Sequence, residues 1–212
     1  MFNLAKYQEI KKIIQKQGKK TEIIAISKNQ SLNHVEEAVS NNLTIFGENR
    51  VQEAVSKFSE ILKNNKNIKL HLTGPLQTNK TKIAIDVFDT FHTLDREKLL
   101  REFSKYSEKI KDKEFFIQVN TGKESTKSGI YPENVESFYK LCLSYGIKNI
   151  RGLMCIPPIS EDPKKHFGLI DKIRKDLDLD GLSIGMSSDY LDAIVFDPIY
   201  IRIGTALFGK RL

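Results

Sequence analysis

The chain has 212 residues, 40% of them hydrophobic and 29% charged, enough for one sizeable core and short of clear multidomain size. Its 12 glycines and 6 prolines exclude collagenous and low-complexity classes, and no apolar run approaches the roughly 18–20 residues of a membrane span. The net charge of +7 raises a nucleic-acid reading, but the lysines (Lys11, Lys12, Lys63, Lys66, Lys111, Lys164 and others) interleave with Glu, Asp and Asn on helix-like segments. Tryptophan is absent, so the excess charge reads as solvated helix faces.

Taken in chain order, the pattern opens with an amphipathic helix over Asn3–Gln17. Short β-branched runs then alternate with helix-period segments. The strands are expected at Thr21–Ser27, Leu43–Glu48, Lys69–Gly74, Thr90–Leu94, Glu114–Asn120, Asn149–Ile156, Gly181–Ser187 and Pro198–Gly204. The helices between them are expected at Leu32–Asn41, Arg50–Asn64, Asn79–Asp86, Arg96–Lys111, Pro132–Ser144, Pro163–Leu177 and Ser188–Val195. Pro132 suits a first helical turn, while Asp95 and Asp162 stand where helix caps belong. Eight β-α units predict an α/β fold, a single (β/α)8 TIM-type barrel with an additional N-terminal helix, in one domain spanning 1–212. An open doubly wound sheet is the alternative. The N-terminal stretch has no secretory h-region, and Cys142 and Cys155 lack partners at ligand spacing, so a reducing cytoplasm is the expected compartment.

In such a barrel, function collects on loops at the carboxyl ends of the strands, with a phosphate site often formed after strands 7 and 8. Lys28 follows strand 1, where an amine at the barrel mouth can attack an aldehyde to form a Schiff base; a plain surface lysine is the alternative. GMSSD (Gly185–Asp189) ends strand 7, and RIGT (Arg202–Thr205) ends strand 8. Small residues, hydroxyls and backbone N–H groups at both places outline a phosphate cup. Together these features describe a site for pyridoxal 5'-phosphate. Arg202 would point toward the ring nitrogen, or else pair with a barrel carboxylate such as Glu48. Gly122-Lys123 lacks the residues of a phosphate-binding P-loop, and His34, His71, His92 and His166 are too dispersed in sequence to suggest a metal site.

Several segments carry a more specific likeness: IAISKNQ around Lys28, IFGENRVQEA (Ile45–Ala54), LHLTGPLQTNK (Leu70–Lys80), FIQVNTGKESTKSGI (Phe116–Ile130), IRGLMCIPP (Ile150–Pro158), LSIGMSSDYLDAI and IRIGTALFGKR. In these the chain resembles the pyridoxal phosphate homeostasis protein family, small relatives of the alanine racemase barrel. Leu70 stands where many members carry tryptophan, and Asp197-Pro198 replaces a small turn before strand 8. The resemblance implies pyridoxal 5'-phosphate as cofactor, Lys28 as its Schiff-base lysine, Ser187, Gly204 and Thr205 at its phosphate and Arg202 at its ring nitrogen. It places Asn49 beside the cofactor and Met154 near the ring.

The implied role is a monomeric cytoplasmic carrier in vitamin B6 homeostasis that is not an enzyme. Such a carrier would buffer the cofactor or deliver it to apo-enzymes, with neither nucleic acid nor membrane as partner. The alternative is a racemase-like enzyme dependent on the same cofactor. That reaction needs an acid/base on each face of the substrate, and a chain of this length is expected to lack the extra domain that supplies the second. Tyr131 and His71 read more simply as a loop residue and a barrel-interior residue.

Overall fold

In the computed structural model, which describes residues 1–209, all eight expected strands form. They are β1 (Glu22–Ile26), β2 (Ile45–Glu48), β3 (Lys69–Leu72), β4 (Thr90–Leu94), β5 (Glu114–Val119), β6 (Ile150–Cys155), β7 (Gly181–Ser183) and β8 (Tyr200–Ile203). Each pairs in parallel with its neighbour in sequence and β8 returns to β1, closing the (β/α)8 barrel. Residues 210–212 of the expected domain, which include the Lys210-Arg211 of its last motif, lie outside the described residues.

The N-terminal helix α1 (Leu4–Lys16) precedes the barrel; Asn3 caps it by accepting from the Lys6 amide at 2.9 Å. Helices α2 (Leu32–Ser40), α3 (Val51–Asn64), α4 (Thr81–Val87), α5 (Glu97–Ser104), α6 (Val135–Ser144), α7 (Pro163–Asp176) and α8 (Tyr190–Ile194) follow successive strands, with a short α9 (Thr205–Phe208) after β8. Pro163 opens α7 and Asp162 caps it, accepting from the Lys164 amide at 3.0 Å, as the sequence predicts. Pro132 opens a 3-10 turn that leads into α6.

Three local expectations are corrected. Helix α5 ends at Ser104 and not at Lys111; beyond it the Tyr106 amide donates to the Phe103 carbonyl and the Lys109 amide to the Tyr106 carbonyl, each at 2.9 Å, in tighter turns than an α-helix makes. Asp95 does not cap α5; its carboxylate takes the Arg96 guanidinium at 2.5 Å instead. Strand β7 stops at Ser183 and not at Ser187, since Gly185 adopts φ of 87°, a left-handed conformation outside any strand.

Side chains alternate across the barrel wall. Outward residues such as Phe46, Leu70, Leu72, Phe91, Phe115, Ile201 and Ile203 pack under the helices; Phe46 meets Phe58 of α3 with ring centroids 5.4 Å apart. Inward residues Ile24, Phe116, Met154 and Tyr200 form a second, smaller apolar cluster. Burying each large apolar side chain contributes about 1.5–3 kcal/mol. The barrel closes most thinly between β7 and β8, where Ser183 pairs with Tyr200 alone. The Ile184 amide to the Tyr200 carbonyl (3.1 Å) and the Arg202 amide to the Gly185 carbonyl (2.8 Å) continue that seam.

Candidate functional site

A cleft of about 480 Å³ opens among the loops that follow the strands. Lys28, Asn49, Ser187, Arg202, Gly204 and Thr205 all line it, so residues separated by up to 177 positions (205 − 28) converge on one space. Met154 is placed differently. It is fully buried in the barrel's inner cluster, and Ile156, two residues further on, reaches the cleft wall.

Lys28 is half-buried on the loop between β1 and α2. Alternation turns Ser27 outward, toward α3, where its hydroxyl donates to Glu48 Oε1 at 2.6 Å. Lys57 of α3 enters the same space. Its ammonium lies 2.6 Å from Glu48 Oε1 and 2.8 Å from Glu53 Oε1, and donates to the Ser27 carbonyl at 2.6 Å. Burial pushes the Glu48 carboxyl up from its ordinary range against the lowering effect of Lys57 and Ser27. Glu53 is also raised by burial, but Lys57 and the Asn29 N–H outweigh that and hold it below the usual carboxylate range. Sequence reasoning missed this cluster, although Glu53 and Lys57 stand at the i, i+4 spacing of a helical ion pair.

At the other end of the cleft, two loops are tied together where the Ala206 amide donates to Ser187 Oγ at 3.3 Å. Gly204 lies against the β1 strand so closely that a Cβ there would sit 3.3 Å from the Ile26 Cβ and 3.4 Å from its carbonyl oxygen. The loop after β7 is held from below by Asp189, which accepts from the Met186 amide at 2.5 Å. Burial raises the Asp189 carboxyl, partly offset by that N–H and by Arg202. Asn49 is oriented by Thr73, whose hydroxyl donates to Asn49 Oδ1 at 3.0 Å.

Arg202 points into the barrel and is buried, with 5% of its surface exposed. Nη1 donates to the Ser183 carbonyl at 2.6 Å and to the Ser183 hydroxyl at 2.8 Å, and Nη2 donates to the Cys155 carbonyl at 3.0 Å. Those bonds use three of its five N–H donors and leave the others for a group in the cleft. The alternative Arg202–Glu48 pair does not form, because Glu48 shares the outward face of β2 with Phe46 while Arg202 faces inward. Burial lowers the Arg202 pKa from its ordinary value, with Cys155 and Asp189 acting in the opposite sense.

The barrel strands bring together two histidines that are dispersed in sequence. His71 Nδ1 and His92 Nε2 lie 3.0 Å apart, and His92 Nδ1 lies 2.9 Å from the Ser183 hydroxyl. That hydroxyl also accepts from Arg202, so Ser183 links the guanidinium to the histidine pair. Burial pushes His71 down to about 3 and His92 well below its ordinary value, so the pair stays neutral beneath Arg202. As expected, His71 is a barrel-interior residue and Tyr131 an exposed loop residue. Among the described residues no group of three or more candidate ligands could hold a metal ion. Both cysteines are buried and pushed up to about 12, which leaves them inert as nucleophiles. No helix among the described residues is long and apolar enough to cross a membrane.

The residues fit a phosphorylated pyridine aldehyde: an amine on the wall, hydroxyls beside a close-packed glycine at one end, and a guanidinium rooted in neutral partners at the base. The family model for the alanine racemase N-terminal domain matches residues 4–211. The pyridoxal phosphate homeostasis protein of Buchnera aphidicola subsp. Schizaphis graminum is 36% identical over 206 residues, covering 92% of this chain and 88% of its own. The protein of that name from Aquifex aeolicus is 38% identical over 181 residues, covering 80% and 78%. The structure of PipY from Synechococcus elongatus with PLP bound superposes with a TM-score of 0.78 at 30% identity, covering 90% of this chain and 93% of that one. Alanine racemase of Clostridium difficile shares the fold, with a TM-score of 0.67 at 12% identity over 88% of this chain and 51% of its own. By its sequence, its barrel and its relatives, the chain belongs to the pyridoxal phosphate homeostasis protein family, whose barrel is the alanine racemase N-terminal domain.

Proposed function

We propose that this protein binds pyridoxal 5'-phosphate through Lys28 and serves cellular cofactor homeostasis by buffering it or delivering it to apo-enzymes. The observation that carries the reading is the meeting of Lys28, Arg202 and the Ser187–Gly204–Thr205 cup around one cleft. The names of the relatives and the bound PLP of the PipY structure support the same cofactor class. Lys28 would supply the amine that condenses with the aldehyde as a Schiff base, with loss of water. Ser187 and Thr205 present hydroxyls to the phosphate, and Gly204 lets it approach the backbone. Arg202 would meet the ring nitrogen as a donor and leave it unprotonated, which would make the ring a weak electron sink and favour holding over turnover.

Among the described residues no tyrosine or histidine lines the cleft, which favours the carrier over a racemase-like enzyme needing a second acid/base. The test is the visible spectrum of purified protein with added cofactor, followed by borohydride reduction and mass analysis. A band that reduction fixes on Lys28 and that Lys28→Ala abolishes is expected. An unchanged spectrum in Lys28→Ala overturns the assignment, and sustained Lys28-dependent turnover of an amino acid overturns the carrier role.

A further inference from the structure

The two peptide groups that flank the Lys28 Cα are held by one ion pair on α3. The peptide joining Ser27 to Lys28 offers its carbonyl, which accepts from Lys57 Nζ at 2.6 Å. The peptide joining Lys28 to Asn29 offers its N–H, which donates to Glu53 Oε1 at 2.5 Å. The clamping groups hold each other, with Lys57 Nζ 2.8 Å from Glu53 Oε1 one helical turn away. We propose that the Glu53–Lys57 pair is a positioning device for Lys28, fixing both peptide planes around its Cα and so the direction in which its side chain enters the cleft.

Three further observations converge on this role. Lys57 is 8% exposed, an unusual setting for an ammonium, and the carbonyl it takes, just past β1, also accepts from the Gln30 amide at 3.0 Å, so two donors hold the peptide before Lys28. Glu48, fully buried on the adjoining strand, anchors Lys57 from the barrel side at 2.6 Å and takes the Ser27 hydroxyl through the same oxygen. Asn29 sits at φ of 57°, a left-handed conformation that turns the chain sharply after Lys28 and that the Glu53 carboxylate holds through the Asn29 N–H. A buried ion pair is a poor source of net stability but a good source of geometric definition, because breaking it leaves a charge uncompensated. Here the definition falls on the peptide groups either side of the lysine.

The role rests on the cofactor reading above, and its test separates the two. Imine formation is followed by rapid mixing with pyridoxal 5'-phosphate. Cleft and cup integrity are followed separately by the affinity for 4'-deoxypyridoxine 5'-phosphate, which lacks the aldehyde. Glu53→Ala and Lys57→Met are expected to slow imine formation by about tenfold or more, since a misplaced reacting group loses that much readily. Affinity for the deoxy analogue is expected to stay within about threefold of the unsubstituted protein, below the tenfold that 1.4 kcal/mol represents. Glu53→Gln keeps an acceptor for the Asn29 N–H and is expected to recover most of the rate. Lys57→Met leaves Glu48 without its partner, so if it does not fold, the Glu53 pair of variants carries the comparison alone. Variant rates within about twofold of the unsubstituted protein, or analogue affinity falling in parallel with the rate, overturn the positioning role. Absence from the unsubstituted protein of an imine band that Lys28→Ala removes overturns the cofactor reading and this role with it.

Discussion

Arg202 donates through Nη1 to the hydroxyl of Ser183, 2.8 Å away on the neighbouring strand, and that hydroxyl is also the link to His92. A guanidinium beside the cleft is thereby fixed by a neutral chain that runs on to His71 at the centre of the barrel. Ser183→Ala removes one acceptor from Arg202 and the buried partner of His92 Nδ1. Leaving a buried polar atom unsatisfied costs about 1–3 kcal/mol, so a clear fall in the denaturation midpoint is expected in urea unfolding. The absorbance of bound cofactor is expected to shift as well, if Arg202 faces the ring as proposed, because it loses one of its three anchors and keeps only the Ser183 and Cys155 carbonyls.

The neutral histidines set an acid limit on stability. A histidine whose folded pKa lies below its unfolded value binds its proton only on unfolding. The unfolded state therefore carries more protons between pH 6.5 and about 3 in the case of His71, and stability falls as pH drops through that window. The slope is about 1.4 kcal/mol per pH unit for each such histidine. His71→Leu is expected to reduce the acid slope of unfolding free energy by about that amount relative to the unsubstituted protein, measured from pH 6 to 4. The raised Glu48 and Asp189 carboxyls act in the opposite sense, but they are common to both proteins and cancel in the difference.

Gly185 carries both a left-handed φ of 87° and a close neighbour: a Cβ there would lie 2.6 Å from the Ala193 Cβ. Gly185→Ala must strain the turn and push α8 outward, for which a loss of about 1–3 kcal/mol is expected in thermal unfolding. Because Ser187 follows in the same loop, cofactor retention is expected to fall with it, measured by dialysis against buffer.

At the phosphate end, Ser187→Ala and Thr205→Val each remove one hydroxyl. A hydrogen bond to a charged phosphate is worth about 1.5–3 kcal/mol, so each change is expected to weaken pyridoxal 5'-phosphate binding by roughly tenfold or more. Phosphate-free pyridoxal, titrated in parallel, is expected to bind all three proteins alike. Equal losses for both ligands would place the phosphate elsewhere.

The barrel was legible in the sequence because each strand is a short β-branched run bounded by polar punctuation, a signal that survives without tertiary information. The convergence of Lys28 with Arg202 followed from the rule that such barrels work at one end. What escaped depends on the register and facing of strands. Whether Glu48 meets Arg202 or Lys57 turns on which side of β2 it occupies, and Phe46 packing on Phe58 settles that only in three dimensions. His71 and His92 are 21 positions apart and meet because β3 and β4 are neighbours in the sheet. Helix α5 stops short of its expected end because the chain tightens into three-residue turns after Ser104, a change that hydrophobic periodicity does not register.

Between β7 and β8 the barrel is joined by one residue pair and two flanking backbone bonds, and the Arg202 side chain laces the same joint by holding Ser183 from the opposite strand. A side chain that lines the cleft is therefore also a stitch in the wall. Filling the cleft would tighten that stitch, and the amide protons of Ile184 and Arg202 would exchange with solvent more slowly when ligand is present. Occupancy of this protein would then be written in the breathing of a single seam.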